Sequence, residues 1–302
     1  MPASRGAARP GPVLRDNPRV ATYRLAVEYD GTRYHGWQEQ KNARTVAGEL
    51  RRAALEAGGD VVDLGGSGRT DAGVHALGQV AHLRLRRPVE PGPFRRAVND
   101  ALPADVHVLS LGPEAERFHA RHSAVARSYL YQVSRRRTAV GKRFVWWVKR
   151  PLDAGRMAAA ATRLEGRRDF AAFCERPGEQ PSTIVVVERA VVAEDGALIL
   201  VRLVASHFLR KMARRVVGAL VRIGAGEMEE TDVAALLEDP GRPSSRPPVA
   251  EWTAPPSGLF LERVLYRGDP PLGPVAAAFP VPEEPAPRRP ATARPGRRRS
   301  GG

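Results

Sequence analysis

The sequence predicts an α+β protein with a mixed, mostly antiparallel sheet flanked by helices. Three observations lead there: several segments alternate apolar and polar residues with period two, two of them are joined across an Asp-Gly turn, and helical-period segments lie between the strands. In residues 23–30, Tyr23, Leu25, Val27 and Tyr29 share one face before Asp30 and Gly31, which predicts a strand ending in a turn. Thr45 suits the N-cap of a helix whose apolar positions are Val46, Leu50, Ala54 and Ala57, stopped by Gly58 and Gly59. A Gly-rich loop follows. Residues 79–85 and 128–134 alternate again and predict strands flanking that loop. A helix is expected from Asp153 to Leu164, closed by Gly166, then strands 184–192 and 197–205 about the Asp195-Gly196 hairpin turn. The last helix runs from about Phe208 to Ile223, with Leu209, Met212, Ala213, Val216, Val217 and Leu220 as its apolar stripe. Turning 100° per residue sets Lys211, Arg215 and Arg222 opposite the stripe and leaves Arg210 and Arg214 at its margin. No short-period repeat is present.

Charge points to the partner. The formal net charge is +15. Arg5, Arg9, Arg15 and Arg19 against Asp16 leave residues 1–20 at +3, in a Pro/Gly/Ala stretch expected to be a disordered basic arm. Residues 268–302 also carry +3 and read as a disordered Pro/Arg-rich tail. The remaining +9 lies on residues 21–267, so the folded part is itself basic and nucleic acid is the partner to expect. No apolar run approaches the ~18 residues of a membrane span. Cys174 is the only cysteine, which excludes an intrachain disulfide and a multi-cysteine zinc site. The first residues have no apolar signal core, so a reducing, cytoplasmic setting is expected.

GSGRTDAGVHA, residues 66–76, gathers three glycines, Arg69, Asp71 and His75 between regular elements. It has neither GxxxxGK[ST] nor GxGxxG spacing, which argues against a phosphate cradle. From residue types alone, Asp71 is either a turn residue capping a short helix or a catalytic carboxylate, and Arg69 is either solvated or a phosphate partner. Tyr129 and Tyr131 share a strand face, so each is a core tyrosine or a site residue. His75, His119 and His122, without cysteine help, fit hydrogen-bonding roles better than a metal site.

GRTDAGVHALGQVAH (68–82) resembles the signature of the tRNA pseudouridine synthase A family. Four further segments resemble the same family in order: YDGTRYHGWQEQ (29–40) with TVAGEL after it, FHAR (118–121) with ARSYLY (126–131), HFLRKMARRVVGAL (207–220) and APPSGLFLERVLY (254–266). Departures are few: Ser67 stands for a usual Ala, Arg51 for a common Glu, and Val185 where the family often carries Arg, a change that would weaken one RNA contact.

The resemblance implies a pseudouridine synthase fold in two pseudo-related halves, here 21–135 with the catalytic loop and 136–267. It implies isomerisation of uridine to pseudouridine at positions 38, 39 and 40 of the tRNA anticodon stem-loop, without cofactor or metal, by a cytoplasmic homodimer. Asp71 takes the catalytic role, either adding covalently to the substrate or removing the ribose C2′ proton. Tyr129 lies against the target uracil, Arg69 enters the RNA stack or meets phosphate, and Arg214 pairs with the Asp71 carboxylate. Tyr131 is left to packing, and Lys211 and Arg215 to solvent or phosphate. Two other readings compete: a catalytically silent RNA-binding or RNA-folding protein on this scaffold, and a metal-dependent phosphodiesterase using Asp71, Asp30 and histidines.

Overall fold

The period-two alternation becomes a strand, β1 (Ala21–Tyr29), that buries Tyr23, Leu25, Val27 and Tyr29 on one face. The computed structural model describes residues 20–239 and 248–284. Thr45 caps α1 (Val46–Glu56), its hydroxyl accepting from the Gly48 N–H at 3.3 Å. There follow β2 (Val61–Gly66), β3 (His75–Leu85), α2 (Pro91–Ala101) and β4 (Val106–Glu114). The second part runs β5 (Ala124–Ser134), β6 (Trp146–Trp147), α3 (Ala154–Thr162), β7 (Gly166–Asp169), β8 (Ile184–Asp195), β9 (Leu198–Ala205), α4 (Met212–Gly224), α5 (Glu230–Glu238) and β10 (Leu259–Tyr266). Among the described residues no helix is long and apolar enough to cross a membrane.

The strands join one sheet in the order β4-β1-β3-β10-β5-β9-β8-β7, with β2 on β3 and β6 on β5. Its order repeats. In the first part β4-β1-β3-β2 follows from a β-α-β-β-α-β chain order; in the second, β10-β5-β9-β8 follows from the same order with β6, β7 and α5 added to it. The two units are therefore topologically equivalent, and β5 is the counterpart of β1. The boundary falls between Glu114 and Ala124, ahead of the expected division at 135, because β5 opens the second unit instead of closing the first.

The units meet along β3. Its C-terminal end pairs with β2 through Ala81–Leu85, while its first residues, His75 and Ala76, pair in parallel with Phe260 and Leu261 of β10. The loop from Ser67 to Val74 thus emerges at the seam, where β2 leaves the edge of β3 and β10 takes its place. A continuous core lies between the sheet and its helices, from Val27 and Leu50 in one unit to Phe170 and Leu220 in the other.

Strand alternation sends Leu130, Leu198, Leu200 and Phe260 to the opposite face, where they form a second apolar cluster with Val281. This corrects the expectation of a disordered tail over its first part. Residues 268–284 lie across that face: the Ala278 N–H donates to Gln132 Oε1 at 2.7 Å, the Ala197 N–H to the Val281 carbonyl at 2.9 Å, and Arg202 to the Gly273 carbonyl at 2.7 Å. Burial supplies the reason, because Phe279 packs on Phe144 and Val281 is 3% exposed. The arm, except Val20, and the tail from 285 onward lie outside the described residues.

Candidate active site

The Gly-rich loop is braced before any substrate arrives. Buried Gln79 on β3 holds Gly68 from both sides, its Nε2 donating to the Gly68 carbonyl at 2.7 Å and its Oε1 accepting from the Gly68 N–H at 3.2 Å. Thr70 is fixed by a 2.8 Å hydrogen bond between its hydroxyl and that of Tyr29, and its carbonyl accepts from the Trp37 N–H at 3.1 Å. The Gly73 N–H reaches the Tyr34 carbonyl at 3.2 Å. Residues 34–37 can approach so closely because Gly36, at φ +90°, has no Cβ; one there would stand 2.3 Å from the Thr70 carbonyl oxygen. The YDGTRYHGWQEQ segment is thus the brace of the loop that follows it.

Between these fixed points Asp71 projects into a cleft of about 710 Å³, which Arg69, Tyr129 and Arg214 also line. Its Oδ2 lies 3.4 Å from Arg214 Nη1, and the two side chains are 32% and 13% exposed. The hydrogen-bond partner of the carboxylate is therefore a guanidinium and not an N–H of its own turn, so the capping alternative does not describe it. Arg214 is itself positioned: its Nε donates to the Ala254 carbonyl at 2.7 Å while its own carbonyl accepts from the Ala254 N–H at 3.1 Å.

Tyr129 is 7% exposed, stacks edge-on to Phe208 at 4.7 Å and lies near the loop, since a Cβ on Gly68 would be 3.4 Å from its hydroxyl. Burial, with Tyr29 and Asp71 adding to it, raises the phenol far above its ordinary range. It stays protonated and can donate a hydrogen bond, but it is not a base at neutral pH. Tyr131 donates to the Pro255 carbonyl at 2.8 Å in the core. Arg69 is exposed and makes no ion pair or hydrogen bond among the described residues. Leu209, Met212 and Leu259 give the cleft an apolar lining suited to a base.

The C-terminal helix departs from expectation at its start. Lys211 has left-handed backbone, φ +62°, so α4 begins at Met212 and Phe208–Lys211 form a turn over the cleft. Arg215, expected in solvent, is buried, and its Nη1 donates to the Cys174 carbonyl at 2.5 Å because residues 171–175 cover that side of the helix. Lys211 and Arg210 converge on Glu175, Arg210 Nε at 2.6 Å. Val185 is fully buried in β8.

His75 and His119 act as hydrogen-bonding groups. His75 Nδ1 accepts from the Gly31 N–H at 3.0 Å and Nε2 reaches the Arg143 carbonyl at 3.0 Å, while His119 Nδ1 accepts from the Arg121 N–H at 3.2 Å. Asp30, which a metal-dependent phosphodiesterase would need beside Asp71, does not line the cleft.

The seam, the braced loop and a carboxylate paired across the two units define a cleft built for chemistry on a polyanion. A family model described as tRNA pseudouridine synthase matches residues 25–123 and 160–267. The chain is 41% identical over 249 residues to the tRNA pseudouridine synthase A of Agrobacterium fabrum, covering 81% of this chain and 92% of the relative. To that of Sinorhizobium fredii it is 40% identical over 249 residues, covering 81% and 99%, and to that of Allorhizobium ampelinum 41% over 252 residues, covering 82% and 95%. The chain belongs to the tRNA pseudouridine synthase family, the isomerases that convert uridine to pseudouridine in tRNA.

Proposed function

We propose that the protein isomerises uridine at positions 38, 39 and 40 of the tRNA anticodon stem-loop, as a cytoplasmic homodimer, with Asp71 as catalytic residue and Tyr129, Arg69 and Arg214 as substrate-site residues. The reaction breaks the bond from uracil N1 to ribose C1′, turns the base and joins C5 to C1′; the C5 proton is lost and N1 regains one. No redox change occurs. Asp71 serves either by adding covalently to the substrate or by removing the C2′ proton and returning it. The observation that carries this reading is the Asp71 carboxylate, fixed by a braced loop at the seam and paired with Arg214 in a cleft large enough for a flipped nucleotide. Buried Tyr129 offers its ring and a protonated hydroxyl to the base, and exposed Arg69 is free to enter the space that the base vacates.

The test is direct: purified protein is incubated with unmodified tRNA and pseudouridine is mapped. Modification at positions 38–40 is expected. Modification confined to another site, or none, would overturn the proposal.

A further inference from the structure

One wall of the cleft carries cationic groups without counter-ions among the described residues. Arg127, on β5 two residues before Tyr129, is 7% exposed and yet lines the cleft. Its Nη1 donates to the Ser206 carbonyl at 2.8 Å; its Nη2 donates to the Arg121 carbonyl at 2.6 Å and the Ser67 carbonyl at 3.4 Å. One guanidinium thus ties together the loop bearing Asp71, the segment before β5 and the connection leaving β9. All three acceptors are neutral carbonyls, and among the described residues Arg127 has no carboxylate partner.

Apart from exposed Arg69, which is also unpaired among the described residues, three other cleft cations have carboxylate partners. Arg214 has Asp71, and Arg210 and Lys211 have Glu175. Arg121 is exposed, lines the same wall, and its side chain makes no ion pair among the described residues. His207 stands there too, its Nδ1 3.1 Å from the Ser206 hydroxyl. Burial, then the charges of Arg127 and Arg121, hold its imidazole below the usual range, and no carboxylate among the described residues opposes them. Burial likewise lowers the Arg127 guanidinium, and Arg121 adds to that. A buried cation without a counter-charge is costly, and an anion seated between these groups relieves the cost.

We propose that Arg121, Arg127 and His207 form a phosphate subsite, filled by one phosphodiester of the RNA within a linkage or two of the target uridine. This rests on the function proposed above. Proximity follows from Arg127 bonding Ser67, four positions before Asp71 in the same braced loop. Arg127 has five N–H groups and makes three hydrogen bonds among the described residues, which leaves two donors for the phosphate. Once the anion is seated, His207 faces an opposite charge and takes up a proton.

The experiment uses the full chain carrying Asp71→Asn, so that bound RNA is not turned over, and anticodon stem-loop RNAs with one neutral methylphosphonate linkage each. At one linkage near the target uridine, neutralisation should weaken binding about tenfold or more. Arg121→Gln should abolish that loss and leave the losses at other linkages in place; Arg121 makes no side-chain bond whose removal would unfold the protein. Calorimetry in two buffers of different ionisation enthalpy should find proton uptake on binding near pH 7, absent in His207→Gln. If Arg121→Gln leaves every linkage effect intact, or His207→Gln leaves uptake unchanged, the subsite is wrong. Wild-type turnover on the unmodified stem-loop is measured alongside: no pseudouridine there would remove the functional proposal itself, whereas normal turnover with intact linkage effects would remove only the subsite.

Discussion

Arg214 on α4 sets its Nη1 3.4 Å from Oδ2 of Asp71, a residue 143 positions earlier, and so closes one ion pair across the seam of the two units. The pair joins the loop of the first unit to the helix of the second. Its geometry depends on Ala254, which holds Arg214 through both its carbonyl and its N–H.

Arg214→Ala should therefore lower single-turnover rate by about 10²-fold or more, the order found when one preorganised charge-stabilising donor is lost. Arg214→Lys should restore part of it, since a cation remains but the Nε bond to the Ala254 carbonyl is lost. Lys211→Ala, which removes a partner of Glu175 and none of Asp71, should stay within a few-fold of wild type. Equal losses at both positions would mean that the ion pair does not matter.

Much of this was legible beforehand because local signals and tertiary demands agree. Thr45 caps α1, the Asp195-Gly196 turn joins β8 to β9, and the GRTDAGVHA motif marked Asp71. The failures have physical causes. β2 ends in Gly65 and Gly66, a pair that reads as loop in the sequence but is required here because His82 and Trp37 pack where Cβ atoms would stand. In α2 only Phe94 and Val98 are buried, too few to give a helical period. Arg215 was read as solvated because helical geometry says where a side chain points, not that residues 171–175 cover it. Arg127 and His207 fall in segments that resemble the family, but nothing in their own spacing marks them as cleft residues, since tertiary contacts bring them there.

The docked C-terminal segment had a trace that the prolines hid. Val275, Ala277, Phe279 and Val281 alternate, and all pack in the second apolar cluster. A chain ending at residue 284 should melt with the full-length protein. One ending at 267 should melt lower by more than about 5 °C, as Phe279 and Val281 burial and two acceptors of Arg202 are lost. Equal melting temperatures in a calorimetric scan would show the segment undocked in solution.

His75 sets an acid limit on stability. Burial holds its imidazole below the unfolded value of 6.5, outweighing Asp30 and the carbonyl of Arg143. Its Nδ1 accepts from the Gly31 N–H, and protonation would break that bond. Because the unfolded chain binds the extra proton first, the contribution of His75 is complete above about pH 6.5 and falls away as pH drops from there toward the folded value. His75→Gln, which keeps an acceptor and a donor but cannot titrate, should flatten the melting-temperature profile between about pH 7.5 and 5.5. A profile as steep as that of wild type would assign the acid sensitivity elsewhere.

The central claim is that the Asp71 carboxylate performs the isomerisation, and Asp71→Asn isolates it because the amide keeps the side chain's shape and loses its charge. Pseudouridine formation on unmodified tRNA, measured beside tRNA binding for wild type and variant, is the measurement. The account predicts turnover reduced by about 10⁴-fold or more with binding within a few-fold of wild type, since the basic surface is untouched. Turnover near the wild-type rate in a variant that binds tRNA normally would contradict it.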